Sequence, residues 1–299
     1  MESQFKGHFT ALLTVIIWAS TFISTKILLT DFLPIEILYI RFIIGLIALF
    51  IAFPRPLPFK NWKQEGYFLF SGIFGVFLYY FLENVALTYT QAMNVGIIGS
   101  VSPFITALLS QFVLRKTKMD RSYIFGFLFA ITGICLISLT RTVNVNLIGD
   151  GLAFFATFFW AVYSLLINRI SGFGYSTIAT TQRIFFYGLL AMTPVFFTSV
   201  REFDLGRVIV PANFGNLFFL GIGASAVCFV TWNYSVKVIG AVQATIYIYS
   251  IPVLTTAASV IVLHEKLTGK AIIGIILTLF GLLLSEWTTI KQYLRLQKE

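Results

Sequence analysis

Arg41 and Glu83 are set deep in apolar sequence, and they are the first residues with chemistry to offer. Arg41 stands seven residues past Pro34, about 10 Å along a helix rising about 1.5 Å per residue, and Glu83 stands at matching depth, about 8 Å from the same boundary. A charge inside a bilayer costs about 2.5–3.5 kcal/mol on insertion scales, so it faces a partner or a wet cavity. Two readings follow: a structural Arg41–Glu83 ion pair with Lys26 close by, or Glu83 as a site for a proton or cation. Arg183 lies in a similar setting, and the glutamate its half would need is replaced by Trp232. Glu286 is one partner for it; without that partner, Arg183 would receive an anionic group such as a carboxylate.

Aromatic and amide side chains supply the rest. Trp62 and Trp287 fall where tryptophan marks the headgroup region, whereas Trp18, Trp160 and Trp232 fall within apolar runs and need partners for their indole N–H groups. Tyr79, Tyr80, Asn84, Tyr163, Asn233, Tyr234 and Tyr247 could share a cavity with them, suited to an amphipathic metabolite; packing within a helix bundle explains each of them as well. Pro103 and Pro252 interrupt two apolar runs and free the carbonyls of Gly99 and Ile248, which predicts kinked helices bordering a pathway.

The elements that must position these groups are membrane spans. The 299 residues are 58% hydrophobic and 11% charged, with mean hydropathy +0.89, too little polar surface to solvate a globule of this size. Apolar runs over 9–29, 34–53, 67–88, 93–114, 122–140, 150–169, 176–199, 214–238, 242–263 and 269–290 predict ten transmembrane helices. No small-x-small cleavage site follows the first run, so it is read as a span rather than a signal peptide. The net charge of +9 is scattered through loops rather than gathered in a basic domain, which argues against nucleic acid. With the N-terminus inside, thirteen basic residues fall on inner segments and five on outer ones, so both termini are expected in the cytoplasm of a multi-pass cell-membrane protein. Cys135 and Cys228 lie in apolar runs and read as packing.

The chain repeats itself. At an offset of 142, Trp18-Ala19 falls on Trp160-Ala161 and Arg41 on Arg183; at 149, Gly72-Ile73 falls on Gly221-Ile222, Asn84 on Asn233 and Pro103 on Pro252. Gly126 and Gly133 align with Gly274 and Gly281, and this spacing sets small residues on one helix face, fit for close packing in a scaffold. Residues 1–145 and 146–299 therefore read as two five-span repeats. Five is odd, so the second repeat enters the membrane from the opposite face, and the fold class predicted is all-α integral membrane with two inverted five-helix repeats.

The Trp18-Ala19 opening, the stretch Glu83-Asn84-Val85-Ala86-Leu87, the Ser102-Pro103 and Ile251-Pro252 kinks, and His264-Glu265-Lys266-Leu267 before a glycine-rich last span resemble the EamA family of the drug/metabolite transporter superfamily. The resemblance covers nearly the whole chain. It implies ten spans, inverted repeats, and a central cavity formed mostly by spans one to four and six to nine. It also implies export of amino acids, related metabolites or toxic compounds, without ATP hydrolysis. This chain departs from the family in carrying Arg115-Lys116 where a glutamate often precedes span five, whereas Glu265 keeps that position in the second half.

An intramembrane enzyme would need buried nucleophiles, paired aspartates or a metal cluster, and none is legible: His8 and His264 lie near span ends and no mid-span Asp-Asp, His-Glu or Ser-His grouping occurs. No GxxxxGK[ST] loop occurs either. The loops are too short for the signalling domain of a receptor. The expectation is a secondary transporter working by alternating access, with a small-molecule substrate, possible proton coupling and no cofactor; a scaffold without transport is the alternative.

Overall fold

The computed structural model describes residues 2–114, 121–138, 147–285 and 287. Arg115, Lys116, Glu286, the side chain of Cys135 and the boundary between residues 145 and 146 lie outside them. In chain order the helices are α1 (Glu2–Leu28), α2 (Pro34–Ala52), α3 (Trp62–Ser71) running through a π-helical segment (Gly72–Leu78) into α4 (Tyr79–Tyr89), α5 (Ala92–Gly99), α6 (Ser102–Leu114), α7 (Arg121–Ser138), α8 (Leu147–Ser171) and α9 (Thr177–Ser199). There follow the short α10 (Leu205–Ile209), α11 (Pro211–Phe218) with a second π-helical segment (Phe219–Val227) leading into α12 (Cys228–Ile239), α13 (Ala241–Ile246), a 3₁₀ turn (Tyr247–Ser250), α14 (Ile251–Val262) and α15 (Gly269–Ser285). Among the described residues, seven helical stretches are long and apolar enough to cross a membrane: Gln4–Leu28, Pro34–Ala52, Trp62–Tyr89, Ala92–Phe112, Leu147–Ser171, Pro211–Ile239 and Gln243–Val262. The other three expected spans fall on α7, α9 and α15. The chain is an all-helical, multi-pass membrane protein.

Local chemistry sets the boundaries. Pro34 opens α2, where a missing N–H is harmless. Gly240, at φ +85°, lets the chain leave α12 and enter α13 directly. Both proline interruptions coincide with breaks: a turn at residues 100–101 precedes Pro103 in α6, and the 3₁₀ turn precedes Pro252 in α14. The free Cys228 is fully buried and packs as a small apolar side chain.

Close helix contacts recur in related pairs. A Cβ added to Gly45 of α2 would stand 3.0 Å from the Gly221 carbonyl oxygen and 3.3 Å from Ser225 Cβ; one added to Gly188 of α9 would stand 3.2 Å from the Gly72 carbonyl oxygen and 2.6 Å from Val76 Cβ. Conversely, Gly72 faces the Ile184 carbonyl and Tyr187 Cβ, as Gly221 faces the Arg41 carbonyl and Ile44 Cβ. Gly133 of α7 abuts the Gly274 carbonyl and Thr278 nitrogen of α15, and Gly281 abuts the Gly126 carbonyl and Ala130 nitrogen. In this register Arg41 corresponds to Ile184 and not, as the sequence alignment expects, to Arg183. One residue is about 100° around a helix, so Arg183 points elsewhere than Arg41 does.

Candidate functional site

Three tryptophans from three helices meet at the centre. Trp18 of α1 lies 5.1 Å, centroid to centroid, from both Trp160 of α8 and Trp232 of α12, and Phe229 lies 6.2 Å from Trp18 and from Trp160. Edge-on and tilted pairs of this kind contribute about 0.5–1.5 kcal/mol each beyond their burial. Trp18 Nε1 donates to the Ala224 carbonyl at 3.1 Å, whereas the buried Nε1 atoms of Trp160 and Trp232 have no partner.

On one side of this cluster lies a narrow cavity, about 450 Å³ of space including its open mouth, walled by Trp18, Phe22, Tyr79, Tyr80 and Trp160 with Glu83 among them. Tyr79 and Tyr80 stand four and three residues before Glu83 on α4, so both rings neighbour its side chain on that helix. The far wall comes from the two helix breaks: Gly99 and Ser102 flank the first, while Ile248 lies in the second and Ile251 follows it. A side chain at Gly99 would project into open space, so glycine there widens the cavity. Ser102 Oγ and Trp160 Nε1 are fully buried without a hydrogen-bond partner. A buried carboxylate walled by aromatic faces can hold a proton, or a cation that also attracts the rings.

Arg41 is fully buried but makes no ion pair with Glu83, contrary to the first of the two sequence readings. Its Nε donates to Ser225 Oγ at 2.9 Å, and its guanidinium carbon sits 4.6 Å from the Tyr80 ring centroid and 5.3 Å from that of Phe42. Nη1 and Nη2 have no hydrogen-bond partner. Matching depth does not fix direction around a helix, and here the Tyr80 ring takes the place of the carboxylate.

The remaining expected residues divide. Trp18, Tyr80, Glu83 and Trp160 line the cavity; Trp232 and Tyr163 pack behind it. Tyr163 OH donates to Asn233 Oδ1 at 2.9 Å and Asn233 Nδ2 to Thr181 Oγ1 at 3.1 Å, so these amide and phenol groups are spent on each other. Asn84 Nδ2 donates to the Pro34 carbonyl at the start of α2, 3.3 Å away, and Tyr247 OH meets His8 Nδ1 at 3.0 Å. Lys26 donates to the Leu87 and Thr90 carbonyls at the end of α4, a favourable place for a cation. Glu265 accepts from the Ala92 and Met93 amides at 3.0 and 3.3 Å and so caps α5.

Arg183 is not an empty anion receptor. Its Nη2 pairs with Glu65 Oε1 at 2.7 Å, and Tyr187 OH donates to Glu65 Oε2 at 2.5 Å. Sequence reasoning missed Glu65, which follows Lys63 and Gln64 and reads as loop. It also missed Ser225, whose signal is only that a small hydroxyl interrupts the apolar segment Phe219–Val227. Among the described residues no three His, Cys, Asp or Glu side chains converge as metal ligands would.

Helices crossing the membrane around a buried, aromatic-walled acid define a polytopic membrane protein of the transporter type. The sequence profile of the EamA-like transporter family matches the chain twice, over residues 5–139 and 147–287, and the chain belongs to that family, within the drug/metabolite transporter superfamily. An uncharacterized transporter of Archaeoglobus fulgidus is 27% identical over 96% of this chain and 99% of its own length. A probable terminal-alkyne amino-acid exporter of Streptantibioticus cattleyicolor is 22% identical over 95% of each chain. A solved crystal structure with 20% identity superposes with a TM-score of 0.66, covering 97% of this chain and 98% of that one, which supports the fold.

Proposed function

We propose that this transporter exports a small metabolite across the cell membrane by alternating access, as ten spans in two inverted repeats, 1–145 and 146–299, with both termini cytoplasmic. What supports the inversion is the exchange of close contacts: what α2 does to the second π-helical segment, α9 does to the first, and α7 and α15 treat each other alike. Two packings of nearly equal energy, one open to each side, are the physical basis of alternating access in such bundles.

The single observation that carries the functional reading is Glu83 in the aromatic cavity between the two broken helices. Its carboxylate is the coupling or binding group, and Trp18, Tyr79, Tyr80 and Trp160 hold the apolar part of the substrate. An amino acid, a related amine-bearing metabolite or a cationic drug suits this lining, and the relative named as an amino-acid exporter favours the first. Purified protein in proteoliposomes, screened for uptake and efflux of labelled metabolites with and without a protonophore, tests the reading. Movement of at least one amine-bearing compound against its gradient is the expected result, and no movement of any compound in a correctly folded preparation would refute it.

A further inference from the structure

The two broken helices that wall the aromatic cavity also meet at their far ends, through one carboxylate. Gly99, at the cavity, closes α5, and Ala92, about 10 Å away along the helix, opens it. α14 starts from Ile251 at the same cavity, and beyond Val262 the chain turns sharply. His264 adopts φ +53°, and the Leu263 and Glu265 amides both donate to the Ser259 carbonyl, at 3.0 and 3.2 Å. The left-handed residue that ends a helix in this way is usually glycine. Here a histidine takes that conformation, and the turn delivers Glu265 to α5. Its two carboxylate oxygens accept from the Ala92 and Met93 amides, donors that the first turn of a helix leaves unused and where the helix dipole favours an anion.

Between this bridge and the cavity the same helices touch. A Cβ on Gly96 would stand 3.0 Å from Thr255 Cβ, and Thr255 Oγ1 donates to the Ala19 carbonyl of α1 at 3.2 Å. α1 and α5 precede residue 146 and α14 follows it, so the closure joins the two halves. The other half is not built the same way. At the offset of 149, Gly96 falls on Thr245, which lacks the small size that permits close approach. Thr255 falls on Thr106, whose hydroxyl donates to the Ser102 carbonyl of its own helix at 2.8 Å. In the sequence, Glu265 falls on Lys116, and an ammonium group cannot accept from backbone amides.

We propose that Glu265 is a one-sided latch: it holds α5 against α14 at the outer face, so that the transporter without substrate rests closed to the outside and faces the cytoplasm, the state in which an exporter loads. A contact made in one of two packings and absent from the other shifts the population toward the first. The inference rests on the orientation proposed above, which places the α14–α15 connection outside; the carboxylate bridge itself does not depend on it.

A reporter thiol tests the latch. In the full chain with its native cysteines replaced by alanine, Gly99→Cys projects a thiol into open space at the cavity. A membrane-impermeant maleimide is applied to intact cells and, separately, to inside-out vesicles. Glu265→Ala should speed labelling of intact cells about tenfold without speeding it in inside-out vesicles. Glu265→Gln, which keeps the shape and one acceptor oxygen, should speed it less, and it decides the matter alone if the alanine variant does not fold. Unchanged labelling in folded variants, or a rise from both sides alike as general loosening gives, would overturn the latch and leave the orientation standing. A rise confined to inside-out vesicles would overturn the orientation, and with it closure of the outer face.

Discussion

Arg41 lies behind Tyr80 and not beside Glu83: its guanidinium carbon is 4.6 Å from the Tyr80 ring centroid, while Tyr80 itself lines the cavity that holds Glu83. The ring thus contacts the fully buried cation and also lines the cavity of the buried acid. A cation over a desolvated aromatic face gains about 2 kcal/mol, which offsets only part of the cost of burying Arg41 without a carboxylate partner.

Glu83→Gln keeps the shape of the cavity and removes its negative charge. Transport driven by a proton gradient should fall at least about tenfold in proteoliposomes, with the folded protein recovered in normal yield. An unchanged pH dependence in the variant would rule out a proton role for Glu83.

Arg41 carries two guanidinium nitrogens without partners, and each buried unsatisfied group costs about 1–3 kcal/mol. Arg41→Met should therefore leave thermal stability unchanged or raise it, while transport declines. A marked loss of stability would identify Arg41 as a structural residue instead.

Arg183 and Glu65 are a packing pair in this account. Glu65→Gln and Arg183→Gln should each lower stability by about 1–3 kcal/mol, and a double-mutant cycle should reveal their coupling. Both single variants should depress transport of all substrates equally; a selective loss of anionic substrates in Arg183→Gln would restore it as a substrate receptor.

Gly72 and Gly221 occupy related places but should not be equally sensitive. A Cβ at Gly72 meets backbone, the Gly188 nitrogen at 2.6 Å and the Ile184 carbonyl at 2.7 Å, whereas at Gly221 the nearest atoms belong to the Ile44 side chain. Overpacking costs about 1–3 kcal/mol, so Gly72→Ala should lower the melting temperature in detergent more than Gly221→Ala. The reverse order would argue against this register of helix contacts.

Some of this site was legible in the sequence for a simple reason. A tryptophan or glutamate inside an apolar run is anomalous wherever it points, so Trp18, Trp160 and Glu83 announced themselves. Azimuth was not: Arg41 and Glu83 face different neighbours, and an alignment one residue adrift made Arg183 look like the counterpart of Arg41. Glu65 was hidden because an acid beside Lys63 and Gln64 near a span end resembles any loop charge. The amides Asn84 and Asn233 were visible as polar anomalies, yet only the folded chain reveals that they tie helices together.

The inverted arrangement of the two halves is the claim on which alternating access depends, and side-specific labelling tests it directly. In protein whose native cysteines are replaced by alanine, Asn61→Cys and Asp204→Cys place single thiols on exposed connections of the first and second halves. A membrane-impermeant maleimide applied to intact cells should label the thiol at position 204 and reach the one at position 61 only after permeabilisation. Labelling of both positions from the same side would contradict the account.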